Sequence, residues 1–422
     1  MRIEIICTGD EVLTGKIVNT NFGFMTQRLE DAGLSVAWET TVGDDRANLL
    51  DAFRLAAARA DAVIVNGGLG PTVDDLSQEI AAETAGVRLV LHEAWLARME
   101  EFFRRRGRVM SPNNRKQAML PETAELLDNP IGTACGFALP IGRARFFFTP
   151  GVPREMRRML EEQIIPRLLA LGGAPGVIRL KRFHTYGLGE SHVDQLLEGV
   201  EALAPDGSVK LGFRAHYPQI ETKLTVRGAD EADAARKLAP VQEEVRRRLG
   251  NFILAEDDQT LEGVILARLR AEQATLALAE TFTGGQVTAR LAHLPGAEHA
   301  FRRGVVARAM TQIEEAVGIA PTEGALTEDQ SAVIARALRA QTGATHALAA
   351  LVELDDPAAE GIDFGATVWV ALATETDSPV RRARIAGGRD WVRLGAVELA
   401  LDCLRRQLYG LPLRERTDFE RA

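Results

Sequence analysis

The sequence predicts an α/β protein built from three modules, and three observations carry that expectation. Through the first part of the chain, short apolar runs that end in glycine and acidic residues alternate with amphipathic stretches. Such alternation with short loops makes a mainly parallel sheet covered on both faces. A Gly/Pro-rich segment, Leu171-Gly172-Gly173-Ala174-Pro175-Gly176, then separates this block from a smaller α+β pattern. Asp257-Asp258 opens a third block with strands and helices of its own. At 422 residues the chain is too long for one core, so several domains are expected. The modules read as residues 1–172, 173–255 and 256–422.

Residues 3–7 read as the first strand and 19–32 as the first helix, with Asn19 or Thr20 near its cap. A second strand covers 34–41 and a second helix 46–60. Residues 62–66 form a third, fully buried strand, followed by a helix over 75–85 that Asp75 is placed to cap. Another strand at 145–149 enters Pro150-Gly151-Val152-Pro153 and a helix over 154–169. Beyond the linker, strands at 177–186 and 221–227 and helices at 190–203 and 231–249 make the small module. In the third block, helices are expected at 260–271, 284–291, 328–342 and 391–408, with strands at 275–279 and 365–373.

Hydrophobic content of 46% and charged content of 26% are ordinary for a soluble globular protein. A net charge of −9 gives no general attraction for nucleic acid or acidic membranes, so neither is an expected partner. Cys7, Cys135 and Cys403 form no CxxC or zinc pattern, and their sparseness fits a reducing cytoplasm. The apolar run 3–6 is too short for a signal segment, and no apolar stretch approaches a membrane span. The expectation is a soluble, cytoplasmic, multidomain protein.

Three consecutive strand ends carry acidic or glycine-rich turns: Gly9-Asp10-Glu11, Gly43-Asp44-Asp45 and Asn66-Gly67-Gly68-Leu69-Gly70-Pro71-Thr72-Val73-Asp74-Asp75. Ligands of open α/β sheets collect outside the carboxyl ends of the strands. Glycines there let the backbone approach a phosphate, and the next helix offers N–H groups. Acids beside an anion repel it unless a cation bridges them, so a divalent metal at Asp10, Asp44, Asp74 and Asp75 is expected. Gly67, Gly68, Leu69, Gly70 and Thr72 would line the phosphates. Arg115 and Lys116 would either neutralise phosphate oxygens or form a solvated basic helix end, Asn113 and Asn129 would bond a base or ribose, and Gly132 and Thr133 would line the cleft. These groups suit binding of a phosphate-bearing nucleotide.

These motifs, together with Asn19-Thr20-Asn21, Asn113-Asn114-Arg115-Lys116-Gln117-Ala118, Asn129-Pro130-Ile131-Gly132-Thr133-Ala134 and Pro150-Gly151-Val152-Pro153-Arg154-Glu155-Met156, resemble the N-terminal domain of the CinA family. The resemblance implies a fold similar to molybdopterin-binding proteins and a metal-dependent pyrophosphatase acting on ADP-ribose. It also implies functional roles for Asp44 and Asp75. Residues 177 to about 255 resemble the family's KH-like module. Nucleic-acid-binding KH domains clamp with Gly-x-x-Gly, whereas Gly187-Leu188-Gly189-Glu190 has different spacing and an acidic end. A connecting or dimerising role is expected there, and a homodimer for the whole chain.

In the third block, Ala279-Glu280-Thr281-Phe282-Thr283-Gly284-Gly285 resembles the Ala-Glu-Ser-x-Thr-Gly-Gly signature of the CinA C-terminal domain. That resemblance implies a nicotinamide mononucleotide deamidase fold, but the catalytic pattern departs. The signature serine is Thr281, and the family's Thr-Tyr-Ser-Asn-x-x-Lys segment aligns with Ala307-Arg308-Ala309-Met310-Thr311-Gln312-Ile313. Tyrosine, serine and lysine have become Arg308, Ala309 and Ile313. A hydroxyl nucleophile needs a base, which isoleucine cannot be and arginine, always protonated, is not. The following loop, Val352-Glu353-Leu354-Asp355-Asp356-Pro357, lacks the glycines the family pattern expects. A degenerate deamidase site at Glu280, Thr281, Thr283, Gly284 and Gly285 is therefore expected. Two alternatives stay open: a bifunctional enzyme with Thr281 as nucleophile and Glu280 as its base, and a non-catalytic adaptor in competence or recombination.

Overall fold

The computed structural model describes every residue except 173–176, 205–206, 323, 356–363 and 422. The linker residues Gly173-Ala174-Pro175-Gly176 and the loop residues Asp356-Pro357 therefore lie outside the described residues. Two compact units form, Met1–Ile178 and Arg179–Ala422.

The first unit is a six-stranded mixed sheet. Its strands lie in the order Val36–Val42, Ile3–Thr8, Ala62–Asn66, Ala144–Thr149, Gly136–Ile141, Glu125–Leu127. The first four are mutually parallel, and each of the last two pairs antiparallel with the strand before it. Ile3–Thr8 and Ala62–Asn66 are buried along their whole length, as strands covered on both faces must be. Helix Arg46–Arg59 buries Leu49, Phe53, Ala56 and Ala57 on one face. There Phe53 meets Phe148 edge-on at 5.6 Å, and Phe148 stacks on Phe137 at 4.3 Å. Truncating one of these rings to alanine costs about 3–5 kcal/mol. On the other face, helix Thr20–Asp31 contributes Met25 and Leu29. Asn19 is its cap, accepting from the Phe22 N–H at 3.0 Å.

The helix expected at 75–85 runs from Ser77 to Ala85, and its capping position is Leu76, with no side-chain bond. Asp75 does not cap it. Its carboxylate closes the preceding turn instead, accepting from the Thr72 N–H at 2.8 Å and from the Thr72 hydroxyl.

The second unit holds two sheets. The smaller orders Val209–His216, Gln219–Gly228, Val177–Tyr186 and Ile253–Glu256, backed by helix Glu231–Leu249. The larger orders Phe301–Ala307, Leu276–Thr281, His346–Leu354, Gly365–Ala373, Val380–Ala386 and Glu420–Arg421, with helices Glu328–Thr342 and Arg389–Tyr409 packed on it. Tyr217 stacks on Trp391 with ring centroids 3.4 Å apart, Arg405 donates to Asn251 O at 2.6 Å, and Gln219 donates to buried Glu398 at 2.6 Å. These contacts join the two sheets of this unit. The Gly187-Leu188-Gly189 turn is engaged by the chain's own tail: Asp418 accepts from the Gly189 N–H at 2.7 Å and lies 2.9 Å from His192 Nδ1. Among the described residues no helix is long and apolar enough to cross a membrane.

Candidate functional site

In the first unit the chain order reverses at Ile3–Thr8, whose neighbours are the second and third strands. The carboxyl ends on either side of that reversal form the crevice where open α/β sheets hold ligands. Gly67 and Gly68 leave Asn66 at φ 112° and 68°, where a side chain is strained. A Cβ on Gly67 would lie 2.5 Å from Thr8 Oγ1, and one on Gly68 would overlap Ser77 Oγ. The chain can pass this close only as glycine. Ser77 fixes the turn by donating its hydroxyl to Gly67 O at 2.9 Å and its amide to Gly68 O at 3.1 Å.

Asp10 and Asp44 meet across neighbouring strand ends. The Asp10 N–H donates to Asp44 Oδ2 at 3.2 Å, and the Asp44 N–H returns a bond to Asp10 Oδ1 at 3.1 Å. The Asp44 carboxyl titrates above its ordinary range, first because it is partly buried, then because Asp10, Glu11 and Asp74 surround it with like charge; the Asp10 amide opposes this. Asp74 is exposed and held below its ordinary range by the Thr72 hydroxyl, its own amide and Lys116. Asp45, the third acid of that strand end, caps helix Arg46–Arg59 by accepting from the Asn48 N–H at 2.9 Å. Among the described residues no three histidine, cysteine, aspartate or glutamate side chains form a ready metal-binding group. The expected set Asp10, Asp44, Asp74 and Asp75 is therefore not one cluster. Asp10 and Asp44 are side by side, Asp74 adds its field, and Asp75 is turned to Thr72.

The remaining expected residues divide into two groups. Lys116 reaches the glycine turn, donating to Thr72 O at 3.0 Å, with Glu79 at 3.6 Å. Asn113 and Arg115 are exposed on the same segment. Others serve the interior. The Leu69 side chain is 1% exposed and packs in the core, leaving only its backbone toward the turn. Asn129 is 1% exposed: its amide donates to Ala134 O at 2.8 Å and Glu155 at 2.7 Å, and its carbonyl accepts from the Gly132 N–H at 3.1 Å. It shapes a loop and has no donor left for a ribose. Gly132 is glycine because the Glu155 carboxylate lies against it, and the Thr133 hydroxyl is held by Gln117 at 3.1 Å.

Two organising residues went unrecognised in the sequence. Buried Gln117 donates to Leu69 O and accepts from Asn114 and Thr133, each at 3.1 Å, tying three loops. Asn66 donates to Thr149 Oγ1 at 3.0 Å and Pro150 O at 2.8 Å and accepts from Asn21 at 3.0 Å, joining the ends of two strands to a helix. An amide ending an otherwise apolar strand was the available signal for Asn66.

In the second unit, Thr281 ends its strand 2% exposed, and its hydroxyl accepts the Val352 N–H at 2.8 Å. Phe282 follows at φ 64°, then Gly284 and Gly285 at 70° and 85°. Glu280 is fully buried. Its oxygens accept from the Val287 N–H at 3.0 Å, the Thr288 N–H at 2.9 Å and the Thr283 hydroxyl. Ile313 is fully buried among Ala277, Ala279 and Ile334. Ala309 precedes helix Met310–Ala316 and offers it no side-chain bond; Gln312 reaches back to its N–H at 3.2 Å. Arg308 is exposed, its guanidinium 5.2 Å from the Phe282 ring centre. Residues 352–354, expected in a loop, instead end the strand His346–Leu354; Asp355 just beyond it is held by a two-pronged pair with Arg384 at 2.7 and 2.8 Å. Thr281, Arg308, Thr322, Val352 and Glu353 help line a cavity of about 120 Å³.

Known families match this chain in three consecutive stretches. A probable molybdopterin binding domain covers residues 4–170, the damage-inducible protein CinA KH domain 180–255, and the CinA C-terminal domain 258–408. A CinA-like protein of Geobacter sulfurreducens is 40% identical over 414 residues, covering 97% of this chain and 99% of the relative. Another, of Frankia casuarinae, is 38% identical over 431 residues, covering 99% and 98%. Among solved structures, the protein CinA of Thermoplasma acidophilum, described as of unknown function, shares 35% identity over 39% of this chain and 97% of its own, with a TM-score of 0.36. The chain belongs to the CinA family, with a molybdopterin-binding-like domain, a KH-like module and a CinA C-terminal domain in that order.

Proposed function

We propose that the N-terminal domain is a metal-dependent hydrolase that converts ADP-ribose to AMP and ribose 5-phosphate, and that the C-terminal domain has lost nicotinamide mononucleotide deamidation. The observation that carries the first half is the Asp10–Asp44 pair at the crevice, within the field of Glu11 and Asp74 and next to the glycine turn. Such a pair repels a diphosphate unless a cation lies between them. Two carboxylate donors fit a hard divalent cation whose other positions are filled by phosphate oxygens and water. Asp10 and Asp44 would hold it, and its chemistry would be charge neutralisation and a lowered pKa for bound water.

The chain's own residues supply the rest. Gly67 and Gly68 let a phosphate come within reach of the backbone. Lys116, already on the turn, and exposed Arg115 offset phosphate charge. An Asp44 carboxylate oxygen left free of the cation would receive a proton from the attacking water. A water oxygen bonds to one phosphorus as the bridging P–O bond breaks, giving AMP and ribose 5-phosphate.

For the second half, the support is the environment of Thr281. Glu280 is engaged by three donors, Ile313 faces the core, Arg308 is a cation and both Glu353 oxygens accept from protein donors, so among the described residues none of these supplies a free base for the hydroxyl. Turnover of ADP-ribose by the purified chain, with products resolved by chromatography, tests the first half. Turnover should require magnesium or manganese. Undiminished turnover in EDTA, or no AMP with any divalent cation tried, would sink it.

A further inference from the structure

We infer that the cavity beside Thr281 is a binding site for a small oxyanion, a phosphate group, and not for a whole nucleotide. Two donors line it without a matching acceptor. The Thr281 hydroxyl accepts from Val352, but among the described residues its own proton has nowhere to go. Arg308 rests over the Phe282 ring and has no ion pair among the described residues. A ring face attracts a cation without neutralising it. An oxyanion supplies acceptors to both groups at once, and a guanidinium binds phosphate through two parallel N–H bonds.

Size and the wall narrow the class of ligand. About 120 Å³ is well below the roughly 300 Å³ at which small-molecule pockets begin. A phosphate group fits, whereas a nucleoside does not. Glu353 also lines the cavity, but its two oxygens accept from the Leu326 N–H at 2.8 Å and Trp369 Nε1 at 2.9 Å. Glu314, behind Thr322, is likewise engaged by the Thr322 amide, 3.2 Å from each of its oxygens, and by the Thr322 hydroxyl. The lone pairs of these acids are directed at protein donors and away from a bound anion. The left-handed Phe282 presents the ring on which Arg308, itself part of the cavity lining, rests.

Labelling of arginines by phenylglyoxal in the full chain, mapped by peptide mass spectrometry, isolates this site from any phosphate bound elsewhere. Inorganic phosphate and ribose 5-phosphate are the probes, with chloride at equal ionic strength as control. Phosphate at twice its Kd should slow labelling of Arg308 about three-fold by mass action. Thr281→Val should weaken that protection. Protection by both probes means the site reads the phosphate group wherever it is carried. Protection by inorganic phosphate alone means the cavity admits only the free ion, and either result supports the inference. Equal labelling of Arg308 with and without phosphate, or protection unchanged in a folded Thr281→Val, overturns it.

Discussion

The chain carries two turns of one design, Asn66-Gly67-Gly68 and Thr281-Phe282-Thr283-Gly284-Gly285, each leaving a buried parallel strand with glycines at positive φ. Their acids differ. At the first, the Asp10 and Asp44 carboxylates among the described residues accept only from each other's amides and remain at the surface of a crevice. At the second, Glu280 is fully buried and anchored by three protein donors. A glycine turn beside an acid is thus not a site by itself. What matters is whether the carboxylate's lone pairs are still available once the chain has folded.

The largest effects should come from breaking the second turn's interior. Ile313→Lys places a charge in the core and should destabilise the Arg179–Ala422 unit by about 3 kcal/mol or more. It would cost stability sooner than restore a catalytic lysine. Glu280→Ala strands the Val287 and Thr288 amides and the Thr283 hydroxyl and should cost about 3 kcal/mol. Urea melts of the full chain would check both, with ADP-ribose turnover below the transition unchanged. Loss of that turnover would show the two sites to be coupled.

A matched pair of alanines gives a middle-sized effect. Gly284→Ala meets nothing within 4 Å and carries only the left-handed penalty, about 1 kcal/mol. Gly68→Ala carries the same penalty plus an overlap with Ser77, about 3 kcal/mol in all, and should impair hydrolysis. Equal costs would mean that Ser77 yields easily and the turn is not rigid.

The smallest effect is a gain. The folded pKa of Asp44 lies above the unfolded value near 3.8, so the fold favours its protonated form. Its contribution is greatest below that value and is lost as pH rises through the folded pKa. At neutral pH, Asp44→Asn should therefore raise stability, by no more than about 1 kcal/mol because the group is only partly buried. The gain should vanish in acid, and thermal melts at the two pH values would reveal it. A loss at neutral pH would mean that the Asp10–Asp44 bonds outweigh the repulsion.

Strand 62–66 was read to the residue, and the glycine turn and Asp44 could be found from sequence because a parallel strand end is a local pattern. His346–Leu354 was not read as a strand. Its run of alanine and leucine suits a helix equally well, and only pairing with Leu276–Thr281 and Gly365–Ala373 makes it extended. The edge strand Phe301–Ala307 was missed because Arg302-Arg303-Gly304 interrupts its apolar pattern. Asn129 read as ligand-facing because an asparagine beside Pro and Gly looks like an exposed loop residue. Its partner Glu155 lies 26 residues away, a contact that spacing cannot reveal. Ile313 showed the lost lysine in sequence, but not that its side chain would lie within the core.

The central claim, that the chain's hydrolytic chemistry lies at the first turn and not at the second, is tested most directly by assaying Asp44→Asn and Thr281→Ala side by side. Each would be given ADP-ribose with a divalent cation and, separately, nicotinamide mononucleotide. The account predicts that Asp44→Asn loses ADP-ribose turnover by about 100-fold or more, that Thr281→Ala keeps the wild-type rate, and that neither variant nor the wild type releases ammonia. Full ADP-ribose turnover by Asp44→Asn, or ammonia release by the wild type that Thr281→Ala abolishes, would contradict it.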